Sequence, residues 1–131
     1  MISYMLDTNT VSFALRNEGR VGARILQHLP SELCVSAVTV AELRYGADKR
    51  QSVKLHGLID TFIGALTVAQ FGEQEAARYG RLSVELERRG SPIGQFDTLI
   101  ASHALTLGVV LVTNNARHFN LVAELRIEDW L

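Results

Sequence analysis

Short apolar runs alternate with amphipathic stretches along the chain. Ile2–Leu6 is an apolar run that ends at Asp7, the pattern of a first strand. After Thr8 and Asn9, the spacing of Val11, Ala14 and Leu15 predicts a short helix. A second helix is expected around Val21, Ile25, Leu26 and Leu29, stopped by Pro30. Leu33-Cys34-Val35 predicts another strand, and either Ser36 or Thr39 can cap the helix that carries Val40, Leu43 and Tyr45. Leu55, Leu58, Ile59, Phe62, Ile63 and Leu66 recur at three- and four-residue intervals, the clearest amphipathic helix in the chain. Leu66–Val68 predicts a third strand, Glu73–Arg89 a helix broken by Gly90 and Pro92, and Thr98–Leu107 a helix ended by Gly108. Val109–Val112 is apolar at every position, as a strand covered on both faces must be. A polar turn, Thr113-Asn114-Asn115, follows, and Leu125–Glu128 predicts a last edge strand.

Strands separated by helices predict an α/β fold: three α/β/α layers around a central, mainly parallel sheet of four or five strands. In such sheets ligands collect beyond the carboxyl ends of the strands. That directs attention to Asp7, to the segment Ser36–Glu42 and to Thr113–Asn115.

Composition narrows the picture. The 131 residues fit one domain, 1–131, and 47% of them are apolar, enough to bury a core. No apolar run approaches the roughly 18 residues of a membrane span. The first residues lack the basic start of a secretory signal, so a cytoplasmic location is expected. A single cysteine, Cys34, excludes a disulfide framework and a cysteine-rich zinc site, and is read as a small buried apolar residue. Net charge is −1, with no overall sign of a nucleic-acid binder, yet eleven of the thirteen cations are Arg. Arg suits bidentate contacts to phosphate or carboxylate.

Three acids stand out, each with a plain structural alternative. Asp7 ends a strand and reads equally as a helix cap or as a cation ligand. Glu42 fits a capping box, Thr39-x-x-Glu42, although a start at Ser36 would move it into the second turn. Asp97 precedes an apolar helix, where Asp is a common cap. Their convergence on one sheet edge changes the weighting. Clustered carboxylates repel and are normally held by a cation, and hard oxygen donors select Mg²⁺, with Mn²⁺ as the alternative.

Several chemistries of this fold class lack their residues. Asn9 stands where an Asp-x-Asp phosphatase needs its second acid, and Asp7 has no acidic neighbour of the receiver-domain kind. Neither a phosphate-binding glycine loop nor a Gly-x-Ser-x-Gly elbow occurs.

Met5-Leu6-Asp7-Thr8-Asn9, Val38-Thr39-Val40-Ala41-Glu42-Leu43-Arg44-Tyr45-Gly46 and Phe96-Asp97-Thr98-Leu99-Ile100-Ala101 together resemble the PIN domain. Val112–Phe119 and the ending Leu125–Leu131 are similar to its VapC branch, the toxins of bacterial type II toxin–antitoxin pairs. The likeness covers the whole chain in order. It implies a Mg²⁺-dependent endoribonuclease in which Asp7, Glu42 and Asp97 form the acidic, metal-holding and catalytic set. Thr8, Asn9, Thr113 and Asn115 are the expected supporting residues. Related toxins often carry a further acid after the penultimate strand, where this chain has Asn114, Asn115 and His118. Cleavage of tRNA, extending to the anticodon loop of initiator tRNA, is the implied activity. A cognate VapB-type antitoxin in the helical groove beside the site, against Phe13, Leu15, Leu43 or Tyr45, and a homodimer are the implied partners. The alternative is a non-catalytic PIN-like module that binds RNA or a partner. Arg16, Arg44, Arg88, Arg89 and Arg117 are candidates for phosphate contacts. His28, His56 and His103 are read as structural or surface residues, and Trp130 and Phe119 as packing residues.

Overall fold

The computed structural model describes residues 1–131. Its elements in chain order are β1 (Tyr4–Leu6), α1 (Thr8–Leu15), α2 (Val21–Ile25), a 3-10 turn (Pro30–Glu32), β2 (Leu33–Ser36), α3 (Ala37–Lys49) and α4 (Val53–Gly64). They continue with β3 (Thr67–Ala69), α5 (Glu73–Arg88), α6 (Gln95–Leu107), β4 (Val110–Val112), α7 (Ala116–Phe119) and β5 (Ile127–Glu128). The five strands form one sheet in the order β3-β2-β1-β4-β5. Every pairing is parallel, so the sheet is not merely mainly so.

Side-chain alternation along the strands divides the core. Met5, Cys34 and Leu111 share one register position and enter one apolar cluster with Leu82 and Leu86 of α5, Ile100 and Ala104 of α6, and Phe119 of α7. Leu6, Val35 and Val112, one residue on, enter the other with Val11 of α1, Leu43 of α3, Ile59 of α4 and Trp130. Successive residues of a strand point to opposite faces, so β1, β2 and β4 must be apolar throughout. That confirms the three-layer reading. No helix is long and apolar enough to cross a membrane.

Register also positions the site. Leu6 pairs with Val35 and with Val112, so Asp7, Ser36 and Thr113 leave the sheet side by side at its carboxyl edge. The Asp7 amide donates to the Val112 carbonyl at 3.0 Å, extending the ladder by one bond beyond the strand.

Two helix boundaries differ from the sequence expectation, and at a third the structure chooses between the two caps the sequence allowed. The helix expected to reach Leu29 stops at Ile25, leaving Leu26 and Leu29 exposed; the Glu32 carboxylate accepts the Leu29 N–H at 2.8 Å and begins the 3-10 turn instead. Ser36, not Thr39, caps α3, accepting from the Val38 N–H at 3.0 Å. The capping box at Glu42 is therefore not formed, and Thr39 lies fully buried inside the first turn. Helix α6 begins at Gln95 rather than Thr98, because Gly94 takes φ +95° and turns the chain sharply. The Gly94 carbonyl then accepts from both the N–H and the hydroxyl of Thr98.

Candidate functional site

Asp7, Thr8, Asn9, Glu42, Asp97, Ile100 and Asn115 line one cavity of about 120 Å³. Three separate elements supply the acids: the β1–α1 junction, the second turn of α3 and the first turn of α6. Thr113 lies just outside the lining and acts through Asp7.

Of the two readings of Asp7, the helix cap is realised. Its carboxylate accepts the Thr10 N–H at 2.8 Å and caps α1, while the same side chain borders the cavity. It is 4% exposed, and burial raises its carboxyl above the ordinary value. Hydrogen bonds from Thr113 and Thr10 oppose that rise, and the charge of Asp97 adds to it.

Glu42 is raised for the same first reason, burial, and further by the charges of Asp97 and Asp7. The opposing contact is the Thr8 hydroxyl, 2.6 Å from Oε1. Thr8 also lies 3.2 Å from the Thr39 hydroxyl. An ionised carboxylate only accepts, so Thr8 spends its one proton on Glu42 and Thr39 must donate to Thr8. Sequence reading cast Thr39 as a cap and missed this role; no local spacing reveals a partner 31 residues away.

Asp97 faces nitrogen donors. His118 Nδ1 lies 3.1 Å from its Oδ2, and Asn115 Nδ2 lies 3.4 Å from the same oxygen. Asn115 is held in turn by its own N–H, which donates to the Thr113 hydroxyl at 2.9 Å.

No Lys or Arg lines the cavity, so no permanent cation relieves the acids' mutual repulsion. No three of the chain's His, Cys, Asp and Glu side chains close on one point as a ready cage. Mg²⁺ does not need one, because it retains several waters and takes one or two protein carboxylates. Uncompensated, hard oxygen donors in a small cavity fit that ion.

A groove of about 140 Å³ adjoins the cavity and shares Thr8 and Glu42 with it. Leu15, Leu43, Leu55 and Ile59 supply its apolar wall, with Arg16 and Arg50 also on the lining. Phe13 and Tyr45 take no part in that lining, and Tyr45 stands 67% exposed beneath Lys49. Arg50 was not among the sequence candidates. Arg44 is spent elsewhere, bonded to His56 and Asp60 between α3 and α4, and Arg16 pairs with Glu18. Arg89 donates to the Leu121 carbonyl, whereas Arg88 and Arg117 make no ion pair.

Residues 4–125 match the PIN domain family. The chain is 38% identical over 131 residues to the tRNA(fMet)-specific endonuclease VapC of Salmonella typhimurium, covering 99% of each. It superposes on a chain of the crystal structure of DNA-bound VapBC from Salmonella typhimurium with a TM-score of 0.92, 38% identity and full coverage of both. A chain of VapBC2 from Rickettsia felis, bound to a DNA fragment from its promoter, gives 0.90 at 34% identity, again over the full length of both. The chain belongs to the PIN-domain family and, within it, to the VapC branch.

Proposed function

We propose that this chain is a Mg²⁺-dependent endoribonuclease, the toxin of a toxin–antitoxin pair, with tRNA as its substrate and initiator tRNA as the first candidate. The observation that carries the reading is the cavity itself: three carboxylates from three elements, with no cation among the lining side chains. The tRNA(fMet) specificity in the name of the Salmonella relative supports the choice of substrate. The VapBC complexes among the similar structures support a VapB-type antitoxin, for which the apolar groove sharing Thr8 and Glu42 is the docking surface.

Asp7 and Asp97 hold the ion, directly or through water. Glu42 has Oε1 fixed by Thr8, which leaves Oε2 to ligate or to accept a proton from the attacking water. A carboxyl raised by burial suits that second task, since its affinity for a proton is closer to what neutral pH requires. The chemistry a divalent cation supplies here is neutralisation of phosphate charge and a water acidic enough to attack near neutral pH. Hydrogen bonds from Thr113 and Thr10 oppose the rise that burial imposes on Asp7, and Asn115 and His118 hold Asp97.

Incubation of the purified chain with total tRNA, in Mg²⁺ and in EDTA, tests the reading. One mapped cut that requires Mg²⁺ and disappears in Asp7→Asn supports it. Absence of cutting, or a cut that survives EDTA or Asp7→Asn, overturns it and leaves the non-catalytic module. Copurification with the product of the adjoining reading frame tests the antitoxin, and light scattering of the free chain tests the homodimer.

A further inference from the structure

We infer that His118 is a positioning residue for Asp97: it donates through Nδ1 to Asp97 Oδ2 and so assigns cation binding to Oδ1. The inference rests on the metal reading above and goes beyond it by dividing the work of one carboxylate between its two oxygens.

Two nitrogens converge on Oδ2, His118 Nδ1 at 3.1 Å and Asn115 Nδ2 at 3.4 Å, and Oδ1 receives no side-chain donor. An ionised carboxylate has no proton to give, so the proton of the shorter contact resides on Nδ1. Both donors come from the segment after β4, Asn115 capping α7 and His118 on its first turn, while Asp97 rides on α6. The pair therefore ties two elements at the mouth of the cavity. Phe119, the neighbour of His118, is fully buried beneath α7 and anchors that helix in the core. His118 is thus a half-exposed side chain on a fixed base, and its ring need not support the fold.

The role differs from ligation. A ligand must present a lone pair to the ion, whereas Nδ1–H faces Asp97 and the ring's remaining lone pair, on Nε2, points away from Asp97. Partners that orient ligating carboxylates typically contribute 10–100-fold to metal affinity.

Mn²⁺ titration followed by electron paramagnetic resonance tests this on the wild type and on His118→Ala, His118→Asn and His118→Gln. The amide nitrogen of Asn occupies the place of Nδ1, and that of Gln the place of Nε2. Weakening of Mn²⁺ binding by about 10–100-fold in Ala and Gln, with recovery in Asn, is the expected result. Pulsed spectra of the bound Mn²⁺ are expected to show no directly coordinated imidazole nitrogen. Equal affinity in His118→Ala, or recovery by Gln in place of Asn, overturns the positioning role. So does a coordinated nitrogen that vanishes in His118→Ala. Asp7→Asn is the control for the metal reading itself: unchanged Mn²⁺ binding there removes the reading and the inference together, an outcome no His118 variant can produce.

Discussion

Thr8 and Glu42 are 34 residues apart in sequence and 2.6 Å apart in space, hydroxyl to carboxylate. This bond ties the first turn of α1 to the middle of α3 and is the main contact opposing the burial of Glu42.

Removing it moves the acid limb of activity. A donor to the ionised form lowers a carboxyl's pKa, so Thr8→Val raises Glu42 further and shifts the acid limb of the kcat/KM–pH profile to higher pH. Cleavage at neutral pH is expected to fall about tenfold, while Thr8→Ser, which keeps the hydroxyl, stays near wild type. A pH profile of Thr8→Val superimposable on that of the wild type contradicts the assignment.

Asp7 places function against stability. Its carboxyl is raised in the folded state, so between the ordinary value of 3.8 and the raised one the folded chain holds more protons than the unfolded chain. Stability of the metal-free protein then declines as pH rises through that window, and the full cost remains at all higher pH. Asp7→Asn keeps a good helix cap and carries no charge. It is expected to melt at higher temperature than the wild type at neutral pH, with the difference closing below about pH 4, while cleavage drops by at least about 100-fold. Thermal scans across pH in EDTA decide it.

Mg²⁺ reverses that order. An ion that binds only the folded chain stabilises it by about 2.7 kcal/mol at a hundred times its Kd. The wild type should gain this and Asp7→Asn should not, so the ranking of melting temperatures inverts as Mg²⁺ is raised. Parallel curves for the two proteins speak against Asp7 as a ligand.

Away from the site, Trp130 closes one core. It is 1% exposed, stacks on His28 at 4.8 Å, lies 5.2 Å from Tyr4, and its Nε1 donates to Glu128 at 2.9 Å. Trp130→Ala should cost about 3–5 kcal/mol by denaturant titration. Gly19 meets the same terminal segment: at φ +62° any Cβ would fall 2.5 Å from Leu131 Cδ1, so Gly19→Ala is destabilising also.

What the sequence conveyed was whatever repeats locally. Continuous apolar runs located β1, β2 and β4 to within two residues, and with them the sheet edge where Asp7 stands. The acids were legible because they follow those runs or open helices. Pairings that depend on the fold were not. Ser36 and Thr39 are both good caps by residue type, and only the end of β2 chooses between them. The early start of α6 depends on the left-handed freedom of Gly94, invisible to hydrophobic periodicity. His118 and Thr39 carry no local mark of their partners, since each contact crosses between elements. His103 was read as structural or surface, and it is fully buried with Nδ1 2.8 Å from the hydroxyl of the cap Ser36.

The sheet order has a consequence for synthesis. β1 is made first, yet it lies in the middle and pairs with β4, Tyr4 against Val110. Contacts of such long sequence separation form late and slowly. Until residues 110–118 have left the ribosome, Asp7 has no β4 beside it and Asp97 has no support from Asn115 and His118. The β4 side of the site therefore arrives late, with the segment that joins the middle of the sheet and carries Asn115 and His118.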